Sequence, residues 1–279
     1  MEFLRRTRIR AAAAVVLAAS STSAMALYGI TWETGELYSI NPDTAAVTKI
    51  GATNVKHMAD IQMGADGFLY GFSTGYEAKR YKINPTNAAT TELGAINFSE
   101  RTFVFEGAMV DMGDGTYWCS AANDAGSPKF FQLNIATGAV VDSFTVDAEL
   151  DINGWAPSYS PFEDALYGLD RESRKIKSID LSTKAVTDVI DWPGDVGEVG
   201  GMTVYGDYYY IATGGAGAVI PGSNRLFRVE TNPIEFGAPQ AVGPFTGVGD
   251  YGFSGIAAPE PSILLAVGIA ALVLRRKKK

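Results

Sequence analysis

The sequence predicts an all-β fold: a five-bladed β-propeller of four-stranded antiparallel blades, closed by its C-terminal strand. Three observations carry this. Five aromatic-led repeats begin at Leu27, Leu69, Tyr117, Leu166 and Tyr209, spaced 42, 48, 49 and 43 residues apart. Each alternates apolar and polar residues with period 2, as in Glu36-Leu37-Tyr38-Ser39-Ile40 and Lys175-Ile176-Lys177-Ser178-Ile179, which is the pattern of half-buried strands. No long helical periodicity runs anywhere between residues 27 and 258.

Each repeat holds an aromatic strand, a polar turn, an alternating strand, a second turn such as Asn41-Pro42-Asp43-Thr44 or Ala136-Thr137-Gly138, and a third strand. A further short segment precedes repeats two to five: Asp60–Met63, Gly107–Val110, Gly154–Pro157 and Gly201–Val204. Four strands in 40–50 residues make one propeller blade. The first repeat lacks this segment, and Phe253–Ala258 supplies a matching one at the far end. Pairing it with the strand at Leu27 closes the ring and removes the exposed edges of an open array. Small residues such as Gly107, Ala108, Gly200 and Gly201 suit strands converging on an axis.

The ends differ from the middle. Residues 1–26 carry +3 and residues 259–279 carry +4, so the chain's net charge of −8 leaves −15 for residues 27–258. A strongly acidic domain repels nucleic acid and anionic lipid. Residues 1–26 read as a signal peptide: basic Arg5 to Arg10, apolar Ala11 to Ala19, then Ala24-Met25-Ala26 as a small-x-small cleavage site. At the other end Pro259-Glu260-Pro261-Ser262 breaks regular structure. Ser262 to Leu274 are 13 uncharged residues. As a helix they reach about 20 Å at ~1.5 Å per residue, against a hydrocarbon core of about 30 Å. Arg275 to Lys279 would remain on the cytoplasmic side.

This order of Pro259-Glu260-Pro261, short apolar helix and terminal basic cluster resembles the PEP-CTERM sorting signal. The resemblance covers the last 21 residues. It implies export from a Gram-negative cell that makes exopolysaccharide, transient anchoring in the inner membrane, and processing by an exosortase after passage through the secretory translocon. The protein would then reside at the cell surface or outside the cell. The closing strand ends at Ala258, so with the tail intact the propeller stands close to the membrane.

Chemistry in the middle is sparse. Asp60, Glu106, Asp151, Glu198 and Asp250 stand one per blade near the starts of the inner strands, bordering the mouth of the central channel. As a ring of carboxylates they would bind Ca²⁺ or hydrogen-bond sugar hydroxyls. Trp155 is the best candidate for a channel-facing ring, whereas Trp32 and Trp118 read as core. Asp111-Met112-Gly113-Asp114-Gly115 and Gly64-Ala65-Asp66-Gly67 read as hairpin turns rather than calcium loops. The single histidine, His57, lies in a turn and makes no triad; the single cysteine, Cys119, reads as a buried thiol and excludes an intrachain disulfide. Gly214 to Gly222 read as a long hairpin loop. No catalytic residue, metal site or cofactor is assigned. The reading is a non-catalytic surface or matrix propeller that binds exopolysaccharide or a surface protein. The alternative is a carboxylate-based glycosidase or Ca²⁺-dependent hydrolase.

Overall fold

In a computed structural model, the described residues are 26–104, 107–123, 128–146, 150, 152–157, 164–170, 173–192, 199–214, 224–231, 237–248 and 252–259. They fold as a five-bladed all-β propeller, and no helix occurs among them. The signal peptide and the sorting tail lie outside these residues, apart from Ala26 and Pro259.

Blade 1 is the sheet of β1 (Leu27–Thr31), β2 (Glu36–Ile40) and β3 (Val47–Ala52), with β21 (Phe253–Ala257) as its inner strand. Blade 2 runs from β4 (Met58–Met63) through β5 (Leu69–Ser73) and β6 (Lys79–Ile83) to β7 (Thr90–Ala95). Blade 3 contains β8 (Thr102–Phe103), β9 (Met109–Asp111), β10 (Thr116–Asn123), β11 (Pro128–Asn134) and β12 (Val140–Thr145). Blade 4 contains β13 (Ile152–Pro157), β14 (Ala165–Asp170), β15 (Lys175–Asp180) and β16 (Val186–Asp191). Blade 5 contains β17 (Val199–Tyr205), β18 (Tyr208–Thr213), β19 (Arg225–Glu230) and β20 (Gln240–Pro244). The closing strand pairs as the repeat pattern predicts: Tyr28 faces Ala257 and Gly29 faces Ile256.

One blade departs from the four-strand expectation. The inner strand of blade 3 is split, with β8 pairing the far end of β10 and β9 pairing its near end. Ala108, between them, takes its amide to the Ser120 hydroxyl at 2.9 Å instead of to a strand partner.

The turn joining the two outer strands recurs in blades 1 to 4. An Asn or Asp opens it, and its side-chain oxygen accepts amides two or three residues on: Asn41 from Asp43 and Thr44, Asn84 from Thr86, Asn134 from Thr137, Asp180 from Ser182 and Thr183. The fifth residue is left-handed, with φ of 58° at Ala45, 59° at Ala88, 78° at Gly138 and 63° at Lys184. Its amide closes the turn on the carbonyl of the opening residue. Hydrogen bonds from the Ser182 hydroxyl and the Thr183 amide hold the Asp180 carboxyl down at about 2. These turns also join blades. Ala88 lies against Gly51 of blade 1, and buried Arg80 of blade 2 donates to the carbonyls of Ala95, Leu93 and, across the seam, Ile135 of blade 3.

Five apolar clusters fill the five seams between adjacent blades. In the seam between blades 1 and 2, for example, Ile30 and Leu37 meet Ile61, Leu69 and Ile83. Trp118 is buried between blades 3 and 4, and Trp192 between blades 4 and 5, edge-on to Phe227 at 5.1 Å. At the axis the inner strands pack in a closed ring, β21 on β4, β4 on β9, β9 on β13, β13 on β17, and β17 on β21.

Glycine makes that ring possible. A Cβ on Gly154 would stand 2.5 Å from Gly201 Cα, and one on Gly201 would stand 2.6 Å from the Ile256 nitrogen. Gly154→Ala, at φ +88° and with neighbouring backbone in the way, is expected to cost about 2–4 kcal/mol from strain and overpacking together. Gly67→Ala, at φ +78° in open space, is expected to cost about 1 kcal/mol. Urea unfolding of the two variants beside the wild type checks both values.

Candidate functional site

The two faces of the propeller are distinct. Inner strands start on one face and end on the other, so the hairpins after β1, β5, β10, β14 and β18 share the first face with the links that enter each inner strand. The Thr53 amide and hydroxyl both donate to the Gly35 carbonyl, and the His57 amide donates to the Trp32 carbonyl at 2.8 Å. These bonds tie hairpin to link within blade 1. Leu27 begins and Ala257 ends on the opposite face, where Tyr28 pairs with Ala257.

The predicted acidic ring has one described member, Asp60, in the inner strand β4. Of its members, Glu106, Asp151, Glu198 and Asp250 fall outside the described residues. Trp155 pairs through its backbone with Gly168 in β13, and its side chain is likewise not described. Asp60 is described, and it is buried at 1% exposure. Its Oδ1 accepts the Ile61 amide at 2.8 Å, and its Oδ2 accepts the Met109 amide of the next blade at 2.8 Å. The carboxylate thus fastens two inner strands together instead of opening onto the channel mouth.

Register explains why an acid sits there. Gly255 faces Ile30, Asp60 faces Phe72 and Gly201 faces Ala212, while Gly154 directly precedes Trp155, which faces Gly168. These positions form one column around the axis, and Asp60 stands where the other blades carry Gly or Ala. On its far side a Cβ on Gly255 would lie 2.3 Å from Asp60 Oδ1. Below it lies β9, whose first amide, at Met109, has no place in a continuous strand; Asp60 accepts that amide. Burial pushes the Asp60 carboxyl well above the usual carboxylate range, against the opposing pull of the Ile61 and Met109 amides. Burial, then the nearby Asp60 charge, pushes the Cys119 thiol up as well. Cys119 is the inert buried thiol predicted.

Other groups on this face were read from the sequence as plain turns or core. Trp32 is half-buried rather than core: it belongs to the first hairpin and lies 5.1 Å from the His57 ring. His57 Nε2 lies 3.7 Å from Glu33 Oε2. In the next hairpin Tyr76 stands 47% exposed, with the Arg101 guanidinium 4.0 Å from its ring centre and Phe103 edge-on at 4.8 Å. An aromatic in an otherwise polar hairpin was the one signal of this patch in the sequence. On the opposite face the turn readings at Asp66 and Asp111–Gly115 hold: Asp66 accepts the Phe68 amide, Asp111 the Gly113 amide and Asp114 the Thr116 amide. Among the described residues no three His, Cys, Asp or Glu gather as a metal site would require. The Gly214–Gly222 loop lies, after Gly214, outside the described residues.

Asp60 sets a pH dependence. Its folded pKa is raised, so its contribution to stability is full below the unfolded value and is lost as pH rises through the folded value. Asp60→Asn cannot accept both amides, which is expected to cost about 1–3 kcal/mol. The wild type's advantage over Asp60→Asn is expected to be largest near the ordinary carboxylate range and to shrink as pH rises above it. Chemical unfolding of both proteins across pH 4–9 measures the difference.

Comparison with known proteins adds the family. The sequence profile of a family described as a repeat of unknown function, DUF6923, matches residues 63–241. Among curated proteins none matches. Solved structures similar to this chain include one described as a nidogen/laminin complex, at 11% identity and TM-score 0.47, covering 84% of this chain and 85% of that one. Another is a protein of unknown function from Bacteroides caccae, at 12% identity and TM-score 0.46, covering 78% of this chain and 73% of that one. The chain belongs to the DUF6923 repeat family.

Proposed function

From membership in that repeat family and from a ring whose two ends leave on one face, we propose that this is an exported, non-catalytic propeller. It is sorted through its tail to the cell surface or matrix and there binds exopolysaccharide or a surface partner. The observation that carries the reading is the pairing of Tyr28 with Ala257. It puts residue 26 and Pro259 side by side, on the face opposite the hairpin loops. A tail anchored in the inner membrane would then hold the first face outward, where loops meet partners. The PEP-CTERM resemblance supplies the exosortase and the membrane. The acidic net charge of the middle segment disfavours nucleic acid.

The enzyme alternative draws on the acidic ring. Asp60 supports it poorly, because both carboxylate oxygens are engaged by backbone amides in a buried seam.

The test uses the full-length chain in a Gram-negative host that makes exopolysaccharide and carries an exosortase. The expected product lacks residues 1–26 and reaches the cell surface, while alanine at Pro259, Glu260 and Pro261 together holds it at the inner membrane. Intact protein in the cytoplasm would overturn the sorting reading. Incubated with the host's exopolysaccharide, the protein is expected to co-sediment with the polymer and release no reducing ends. Release that is lost in Glu106→Gln or Asp151→Asn would instead establish the glycosidase.

A further inference from the structure

The exposed aromatic patch on the first face is built rather than incidental. Tyr76 sits at the tip of the hairpin between β5 and β6, and that tip is pinned to the next blade. The Gly75 amide donates to the Val104 carbonyl at 2.7 Å, and the Val104 amide returns a bond to the Gly75 carbonyl at 3.2 Å. Arg101 stacks at 4.0 Å on the Tyr76 ring, and Phe103 buttresses it at an interplanar angle of 64°. Beside them, nearly buried Lys129 pairs with Glu100 and fixes that carboxylate in place. Ordering an aromatic ring costs conformational entropy. Here the ring is held by two neighbours, Arg101 and Phe103, yet remains 47% exposed.

The surroundings select the occupant. Tyr76 offers a flat apolar surface beside a planar guanidinium and the exposed carboxylates of Glu77 and Glu100. Donors and acceptors of both signs around one aromatic face suit a sugar ring, which presents a C–H face for stacking and vicinal hydroxyls for paired hydrogen bonds. Nucleic acid is disfavoured by the −15 charge of residues 27–258. A protein interface buries about 800 Å² per partner around an apolar centre. Among the described residues the exposed large hydrophobics are Tyr76 and Val141, and Val141 lies on the outer strand β12, away from the hairpin. No other exposed large hydrophobic among the described residues extends the patch around Tyr76.

We infer that Tyr76, Arg101, Glu77 and Glu100 form a subsite for a neutral glycan chain, with the Tyr76 ring as its stacking platform. The inference rests on the glycan-binding reading above and assigns it a place on the propeller.

Affinity electrophoresis of the full-length protein in non-ionic detergent tests it, with dextran, hydroxyethyl cellulose or anionic alginate cast in native gels. The expected result is retardation by a neutral glucan, weakened about tenfold or more in Tyr76→Ala and nearly retained in Tyr76→Phe. Val141→Ala, an exposed control, should behave as the wild type, and an unchanged thermal midpoint for Tyr76→Ala shows that it remains folded. Equal retardation of wild type and Tyr76→Ala overturns the subsite and leaves glycan binding standing. No retardation by either glucan overturns the neutral-glycan occupant, and retardation by alginate alone does so while leaving glycan binding standing. Capture of a surface protein that depends on Tyr76, without glucan binding, assigns the patch to a protein and likewise overturns the proposal.

Discussion

Five inner strands that converge on one axis must touch backbone to backbone, and the rest of this molecule is arranged around that contact. Where the strands meet, a Cβ at Gly154, Gly201 or Gly255 would lie within 2.6 Å of an atom of the neighbouring strand. Register shifts in β13 and β17 lie beside the glycines of this column, and one in β4 lies beside Asp60. Closure then leaves only short inner edges, packed against one another around the axis. The apolar clusters in the seams follow from it, because each blade can bury its two faces only when both neighbours are present.

One blade meets the constraint by different means. Blade 3 has a split inner strand, and an amide at its break points into the seam. Asp60, from the glycine column of blade 2, reaches across and accepts it. A carboxylate in so tight a place is costly to ionise, and the same burial raises the thiol of Cys119 behind it. The residue whose charge and position made it look like a ligand is held by the demands of backbone hydrogen bonding. A buried amide left without an acceptor costs about 1–3 kcal/mol, which Asp60 offsets at Met109.

The outer half of blades 1 to 4 answers to a local rule instead. An Asn or Asp caps the turn, a left-handed residue ends it, and the turn settles against the glycine of the adjacent outer strand, as Ala45 does against Gly243 and Ala88 against Gly51. The described hairpins after β1 and β5 follow neither rule, and half-buried Trp32 and exposed Tyr76 stand on them rather than in the core.

Blade number, repeat spacing, the closing strand and the position of the turns were determined by the sequence alone. They are local properties: period-2 alternation, the Asn-Pro turns and the partial first repeat all lie within a few tens of residues. The buried Cys119 and Trp118 were legible from their place in an aromatic-rich strand, and they lie on its opposite faces, in the two seams that flank it. The acidic ring was read from spacing, and spacing says nothing of which way a side chain turns. Asp60 meets an amide 49 residues away, and Tyr76 meets Arg101 and Phe103 from the next blade. Only the tertiary structure decided those meetings, because they depend on how far one blade is rotated against the next, a quantity set by glycine contacts at the axis that no single repeat contains.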